Sequence, residues 1–207
     1  MTIGRTVLRM TTGALMAAHG LQKLNGSFGG PGIEGATKMM EQIGLHPARQ
    51  HAMAAGITET VGGGLLAAGL LNPLGPAMVT GSMAVAVAKV HQKNGPWINK
   101  GGYEYNLTLA AVAFALAADG PGTFSLDALR GKQRTGLGWG LVELAMGIGA
   151  AAAVVSLADR AQPPKAYDGA APVPAATAAP AGSPAPGTDG NGSSVADLTV
   201  ESPLPMS

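Results

Sequence analysis

The sequence feature that most constrains the fold is a long stretch, residues 60–88, that contains no charged residue. One upright helix crosses the hydrocarbon core of a bilayer with about 20 residues, so this stretch is too long for a single span. The segment Asn-Pro-Leu-Gly-Pro at 72–76 places two prolines near its middle, and proline breaks a helix. The stretch therefore predicts two apolar helices joined by a tight turn.

Five apolar segments of this kind lie early in the chain, at 3–24, 52–71, 76–91, 103–118 and 137–158. The first, second and fifth are long enough to cross a membrane, whereas the third and fourth need interfacial residues to complete a span. Only 12% of the residues are charged, against about 25% in a soluble domain, so no soluble shell is available to bury five such helices. We expect an all-α fold: a transmembrane four-helix bundle with a fifth, C-terminal transmembrane helix.

The last part of the chain has a different composition. Residues 163–207 are rich in proline, alanine and glycine, show no apolar periodicity and cannot offset their ordering entropy by burial, so we expect a disordered tail. The expected organisation is a four-helix membrane bundle over 1–130, an additional transmembrane helix within 131–162, and this tail. A cleaved signal peptide over 1–18 is the weaker interpretation of the N-terminus, because the first helix carries polar residues of the site described next.

Glycines recur inside the apolar segments, at positions 13, 20, 62–64, 147 and 149. Glycine in a helix costs roughly 1 kcal/mol relative to alanine in water, but in lipid it lets helix backbones approach closely. These glycines predict a compact bundle and do not by themselves indicate a ligand.

Ionisable residues gather at one end of the expected bundle, because the loops at 25–51 and 92–102 must lie on the same face of the membrane. The six that converge there are His19, Lys23, Glu59, Lys89, His91 and Glu104. Glu59 is the strongest candidate, since it is the only charge in its span and burying such a charge costs roughly 2.5–3.5 kcal/mol. A pairing with Lys23, Lys89 or His19 would keep it ionised, and such a pair fits a structural tie and a chemical role equally well. Glu143, in the fifth segment, lies toward the opposite end.

The residues exclude several kinds of chemistry. The chain has no cysteine, so any thiol or iron–sulfur step must belong to a partner. A net charge of +1 does not fit a nucleic-acid binder. His19 and His91 are conceivable axial ligands of a haem, but His91 lies at the end of a span, so haem is a weaker interpretation than a bound quinone. No metal site is predicted.

Several short motifs resemble those of the DoxX family of bacterial membrane proteins, in the right order and over residues 3–130. They are HGLQKLNGSFGG at 19–30, ETVGGGLL at 59–66, HQKNGPW at 91–97, GGYEYN at 101–106 and GPGTFSLD at 120–127. The resemblance implies four transmembrane helices and a relationship to the small subunit of a thiosulfate:quinone oxidoreductase, with other members associated with membrane redox and sulfur metabolism. The family's polar motif positions here are His19, Lys23, Glu59, His91, Asn94, Gly101, Gly102, Glu104 and Tyr105.

Two functions compete. In the first, the protein is a subunit of a membrane redox system, an accessory to a quinone-linked oxidoreductase, whose bundle end binds a quinone or a small sulfur compound. Its catalytic candidates, which would relay protons, are Glu59, His19 and Glu104. Its substrate-binding candidates are Lys23, Lys89, His91, Asn94 and Tyr105. In the second, the bundle is a non-catalytic scaffold or anchor that organises partner proteins of a respiratory or redox complex. A solute transporter is weaker, since the sequence shows no inverted repeat.

The expected location is the bacterial plasma membrane, with several passes. The expected partners are the lipid membrane and other membrane or peripheral redox proteins. The count of Lys and Arg at the span ends does not settle the orientation by itself. The dense run RGKQR at 130–134 and the usual orientation of the resembled family favour a cytoplasmic N-terminus and an external tail.

Overall fold

The chain is all-helical in its computed structural model, which describes residues 2–161 and contains no strand in that range. The tail expected over 163–207 lies outside the described residues. The seven α-helices are α1 (Thr2–Asn25), α2 (Gly32–Gln42), α3 (Ala48–Ala68), α4 (Leu74–Ala86), α5 (Glu104–Asp119), α6 (Leu126–Leu129) and α7 (Leu137–Arg160). The five expected apolar helices are therefore present as α1, α3, α4, α5 and α7.

Helices α1 and α3 form the closest pair of the bundle, and glycine makes this approach possible. An added Cβ at Gly13 would lie 2.4 Å from the backbone nitrogen of Ala67, and one at Gly63 would lie 2.4 Å from that of Ala17. The prediction that glycines bring helices together is confirmed at these positions. It is wrong for Gly64 and Gly149, since a Cβ at either one would meet nothing within 4 Å.

The uncharged stretch at 60–88 does form a helical hairpin. Gly69 ends α3 in the left-handed conformation, with φ 61° and ψ 48°, a common way to close a helix C-terminus. Its backbone N–H donates to the carbonyl of Leu66 at 3.1 Å, and that of Leu70 donates to the carbonyl of Leu65 at 2.9 Å. The turn at 72–76 then leads into α4, as the two prolines predict.

Two short helices were not expected from the sequence. Helix α2 packs Ala36 and Met40 against a small apolar cluster that includes Ala52 of α3 and Ala158 of α7, with Val85 of α4 beside it. We call this end of the bundle the α2 end. Helix α6 is a single turn capped by Ser125, whose hydroxyl oxygen accepts from the backbone N–H of Ala128 at 3.1 Å.

The helices alternate in direction between two ends. At the end opposite α2, which we call the α6 end, the start of α1 meets the C-termini of α3 and α5: Arg9 bonds to the carbonyl of Ala67, and Arg5 to the carbonyl of Asp119. At the α2 end, α4 continues as a π-helical turn over Val87–His91. The described chain therefore begins at the α6 end, and α7 finishes at the α2 end.

Helix α7 packs against α4 and α5 through two glycines. An added Cβ at Gly140 would lie 3.0 Å from the side chains of Ala118 and Phe114 of α5, and one at Gly147 would lie 2.9 Å from the carbonyl oxygen of Ala77 of α4. The fifth helix is thus part of the same bundle as the other four.

By length and apolar composition, α7 is the one described helix that qualifies as a membrane span. Helices α4 and α5 have only 13 and 16 residues. Helices α1 and α3 are long enough, with 24 and 21 residues, but polar residues interrupt both. The expectation that the first and second segments also qualify as spans is therefore not met on this criterion.

Beside its apolar core, the bundle buries several polar side chains and exposes many large apolar ones. Polar side chains such as Arg9, Glu59 and Glu143 are buried. Large apolar side chains point outward on every long helix except α4, the most enclosed one; examples are Val7 and Leu15 of α1, Ile57 and Val61 of α3, Leu107 of α5, and Leu141 and Ile148 of α7. Apolar surface on this scale indicates an interaction with an apolar environment or partner.

Candidate functional site

Lys23 and Glu59 form an ion pair between α1 and α3. The Nζ of Lys23 donates directly to Oε2 of Glu59. Glu59 is buried, while the side chain of Lys23 retains 19% of its exposure. Gly20, one turn before the lysine, brings the backbones together, since a Cβ there would lie 2.4 Å from the backbone nitrogen of Thr60. Of the three partners that the sequence offers for Glu59, namely Lys23, Lys89 and His19, the structure pairs it with Lys23.

Two other residues with predicted roles, His19 and Tyr105, lie at the protein surface. His19 is exposed on α1, one turn before Lys23, and Tyr105 is half exposed near the start of α5. Among residues 2–161, no hydrogen bond or ion pair joins either side chain to Lys23 or Glu59. The surface position leaves both available to a molecule outside the bundle.

Lys89 bonds to a residue that the sequence did not suggest. Its Nζ donates to Oδ1 of Asp159 at 2.6 Å, and so ties the π turn after α4 to the last turn of α7. Lys89 is largely buried and Asp159 is largely exposed. This lysine therefore anchors the fifth helix rather than pairing with Glu59.

His91, Asn94 and Glu104 hold the loop at 92–102 in shape. Nδ1 of His91 lies 2.7 Å from the carbonyl oxygen of Gly101 and donates to it, because a carbonyl can only accept. The amide of Asn94 donates to the same oxygen at 3.0 Å, and Oε1 of Glu104 accepts from the backbone N–H of Ile98 at 2.7 Å. The six predicted ionisable residues therefore do not form one cluster: the structure divides them among the Lys23–Glu59 pair, the Lys89–Asp159 pair, this loop and the exposed His19.

A second polar cluster, at the α6 end, was not identified from the sequence. The guanidinium of Arg9 is buried and donates to three backbone carbonyls: Leu66 at 3.1 Å, Ala67 at 2.6 Å and Phe124 at 2.6 Å. A cation at the C-terminus of a helix stabilises its unpaired carbonyls and its dipole. Arg9 therefore caps α3 and attaches the chain that precedes α6.

Asn72 and Asp127 complete this second cluster. The backbone N–H of Asn72 donates to Oδ2 of Asp127 at 2.9 Å. The side-chain amide of Asn72 donates to the carbonyls of Ala117 and Arg134, at 3.1 and 3.0 Å. These bonds connect the turn before α4 with the end of α5, with α6 and with the segment before α7. These bonds give the cluster a structural explanation, although the Nε of Arg9 is buried without a hydrogen-bond partner among the described residues.

A groove of about 670 Å³ opens at the α6 end between the start of α1 and the end of α5. Apolar side chains, including Ile3, Leu8 and Leu116, line it together with Arg5 and Asp119. Its volume is in the range of small-molecule sites. Because Lys23 lies near the other end of α1, the groove is not part of the predicted site.

Within the described range, no three His, Cys, Asp or Glu side chains are placed to hold one metal ion. The sequence itself matches the DoxX family model over residues 4–92, that is, from the start of α1 to just beyond the π turn. No curated protein and no protein of solved structure matches the chain.

Proposed function

Residues 4–92 match the model of the DoxX family, and from this match we propose that the chain is a DoxX-like membrane protein and a multi-pass subunit of a membrane redox system. Its polar site, at Lys23 and Glu59, would serve a quinone or a small sulfur compound. The lipid membrane and other redox proteins of that membrane would be its partners.

The distribution of polar and apolar side chains supports several membrane passes. In lipid, a polar side chain is stable inside the bundle and an apolar one is stable on its surface. This is the arrangement of α1, α3 and α5 as well as of α7, with Arg9 and Glu59 inside and residues such as Leu15, Ile57 and Leu107 outside. The bonds of Arg9 and Lys23 offset part of the cost of burying their charges.

The buried Lys23–Glu59 pair is the observation that carries the proposed site. An ion pair in an apolar interface is costly to desolvate and is weak evidence for stability alone. Lys23 is the more exposed partner, so its ammonium can reach the carbonyl of a quinone or an oxyanion from the α2 end. Glu59 would then be free to exchange a proton, and exposed His19, one turn away, would connect it to the surface.

The direct test compares Glu59→Gln with the parent protein. Both are purified from their native membrane, bound lipids are extracted, and quinone content and thiosulfate-linked quinone reduction are measured. We expect the variant to lose bound quinone or activity, whereas Glu34→Gln retains both, because Glu34 is an exposed acid at the same end whose pair with Arg49 lies in water. A parent protein without quinone and with respiration unaffected by either variant would refute the redox proposal.

A non-catalytic scaffold is the second candidate, and a specific observation favours it. Lys89, His91, Asn94 and Glu104 are all occupied by bonds within the protein that shape the α2 end. A face built in this way suits the docking of partner proteins. If deletion of residues 163–207 abolishes function while Glu59→Gln preserves it, the result supports the scaffold function and contradicts the redox site.

We further propose that the N-terminus is cytoplasmic and that α7 ends on the external side. The chain has no cysteine, so single cysteines report their own accessibility. Lys93 is exposed at the α2 end, and Gln133 is exposed beside α6. A membrane-impermeant maleimide should label Lys93→Cys in intact cells and Gln133→Cys only after permeabilisation; the reverse pattern would invert the orientation.

A further inference from the structure

Glu143 is a fully buried carboxyl group in α7, outside the matched range and outside the proposed site. Its exposure is 0%. The hydroxyl of Thr80, on α4, donates to its Oε1. The second oxygen, Oε2, is also buried and has no hydrogen-bond partner within the described part of the chain. A native buried polar atom without a partner requires an explanation.

No positive charge faces this carboxyl from the helices packed around it. Helix α4, Leu74–Ala86, contains no ionisable residue. The ionisable residues of α5 lie at its ends: Glu104 and Tyr105 at the start, and Asp119 at the finish. On α7 itself, the others are Asp159 and Arg160 in the last turn, far along the helix from Glu143.

The cations nearest in sequence or in contact with α7 are already engaged. Arg134, before α7, donates to the carbonyl of Asn72 at 2.8 Å and stacks over the ring of Trp139. Lys89 is bonded to Asp159 at the opposite end of the helix. The other buried carboxylates differ: Glu59 has Lys23, and Asp127 has Arg130 at 3.9 Å and the N–H of Asn72.

An ionised Glu143 would therefore be an unpaired charge inside an apolar helix interface, which is among the most costly arrangements in a protein. We propose that Glu143 is a proton-binding site in the membrane interior and that the proton is the ligand that completes the α4–α7 interface. The carboxylate takes up one proton and becomes a neutral acid. The hydroxyl of Thr80 bonds to one oxygen, and the added proton removes the negative charge from the interface.

This site connects α7 to residues 4–92, the part of the chain that matches the family model and that we call the matched domain. Thr80 and Ala77 belong to that domain, and Gly147, one turn after Glu143, packs directly on the carbonyl of Ala77. Loss of the proton places a negative charge in this contact and weakens the attachment of α7. The proposal is independent of any quinone or sulfur ligand at the other ionisable site.

Infrared spectroscopy of the full chain in lipid tests the proposal, because the carbonyl stretch of a protonated acid is separate from that of a carboxylate. We expect this band in the parent protein at neutral pH, in Glu59→Gln and in Glu34→Gln, and its loss in Glu143→Gln. Glutamine has nearly the shape of the neutral acid, so Glu143→Gln should fold with the melting temperature of the parent. A band that survives Glu143→Gln, or no such band in the parent, overturns the proposal.

Two further measurements keep the test decisive if Glu143→Gln does not fold. Thr80→Val removes the hydrogen bond but leaves the acid, so the band should shift to higher frequency; an unshifted band shows that it does not arise from Glu143. Adding sodium or potassium at constant pH should leave the band unchanged. Its disappearance on such addition would assign the site to a monovalent cation and overturn the assignment to a proton.

Discussion

Two arginine side chains near the start of α1, the buried Arg9 and the partly buried Arg5, bind backbone carbonyls rather than acidic residues. Arg9 holds three carbonyls with two of its nitrogens, and Arg5 holds the carbonyl of Asp119 at 2.8 Å. Both carbonyl groups of α3 that Arg9 reaches belong to its last turn, where the regular intrahelical donors run out, and that of Leu66 also accepts from the backbone N–H of Gly69. A guanidinium suits this task because it presents several N–H donors in a fixed plane. Residues near the chain's start therefore determine how two helices end.

Replacing Arg9 by glutamine should destabilise the fold. The variant leaves carbonyls of Leu66, Ala67 and Phe124 without their charged donor, and we expect a loss of about 2–4 kcal/mol in the free energy of unfolding. The measurement is thermal and chemical unfolding in detergent, followed by circular dichroism. Arg49→Gln is the matched control: it breaks an exposed pair with Glu34 and should change stability by less than about 1 kcal/mol. Equal effects of the two variants would contradict the capping role of Arg9.

At this scale the sequence indicates candidates for one charge pair, Lys23 with Glu59, but neither the Lys89–Asp159 pair nor the bonds to the backbone. The spacing of the apolar segments places Lys23 and Glu59 at the same end of the bundle. Opposite charges attract each other more strongly in an apolar environment than in water. The partners of Arg9 are carbonyl oxygens, which every residue has, so no sequence pattern identifies them. The same holds for His91 and Asn94, whose side chains meet at the carbonyl of Gly101.

Among the helices, the α1–α3 contact depends most on the absence of side chains. Gly13 and Gly63 lie opposite each other, and an added Cβ at Gly63 would come within 2.5 Å of the carbonyl oxygen of Gly13. Backbone atoms cannot move aside as a flexible side chain can. The ion pair of Lys23 and Glu59 sits across this same pair of helices, so their separation also sets the geometry of the proposed site.

Two neighbouring glycines of α3 provide a test of this contact. Gly63→Ala should force α1 and α3 apart and cost about 1–3 kcal/mol of stability. Gly64→Ala meets nothing within 4 Å and, because alanine favours helix, should leave stability unchanged or raise it by up to about 1 kcal/mol. The melting temperature in detergent measures the stability of each variant, and the quinone content measures the geometry of the proposed site. A Gly63→Ala protein as stable as Gly64→Ala would show that the helices are not in close contact.

The elements that the sequence predicted are those with long apolar runs, and the missed ones lack them. Helix α2 has only 11 residues, but Ile33, Ala36 and Met40 follow helical spacing and could have indicated it. Helix α6 is one turn and has only the capping serine at 125 as a signal. The π turn at Val87–His91 has no sequence signature; it contains Lys89, which bonds to Asp159 of α7.

At the scale of the whole molecule, the matched domain is not a closed bundle without α7. The match ends at residue 92, but the buried face of α4 is covered by α7 through Gly147 at Ala77 and Thr80, and the buried Glu143 bonds to that same threonine. The apolar cluster at the α2 end also includes Ala158. The fifth helix thus contributes to the core on which the matched helices rest.

Truncation separates the contribution of α7 from that of the segment after it. A chain ending at residue 136 uncovers Ala77 and Thr80, both buried in the full protein and both in contact with α7, and should lose cooperative thermal unfolding and a single peak in size-exclusion chromatography in detergent. A chain ending at residue 161 keeps every described contact of the bundle and should unfold at the temperature of the full protein. If the shorter chain unfolds cooperatively at that same temperature, α4 does not need α7 to cover its buried face, and the five-helix core reduces to four helices with an attached fifth.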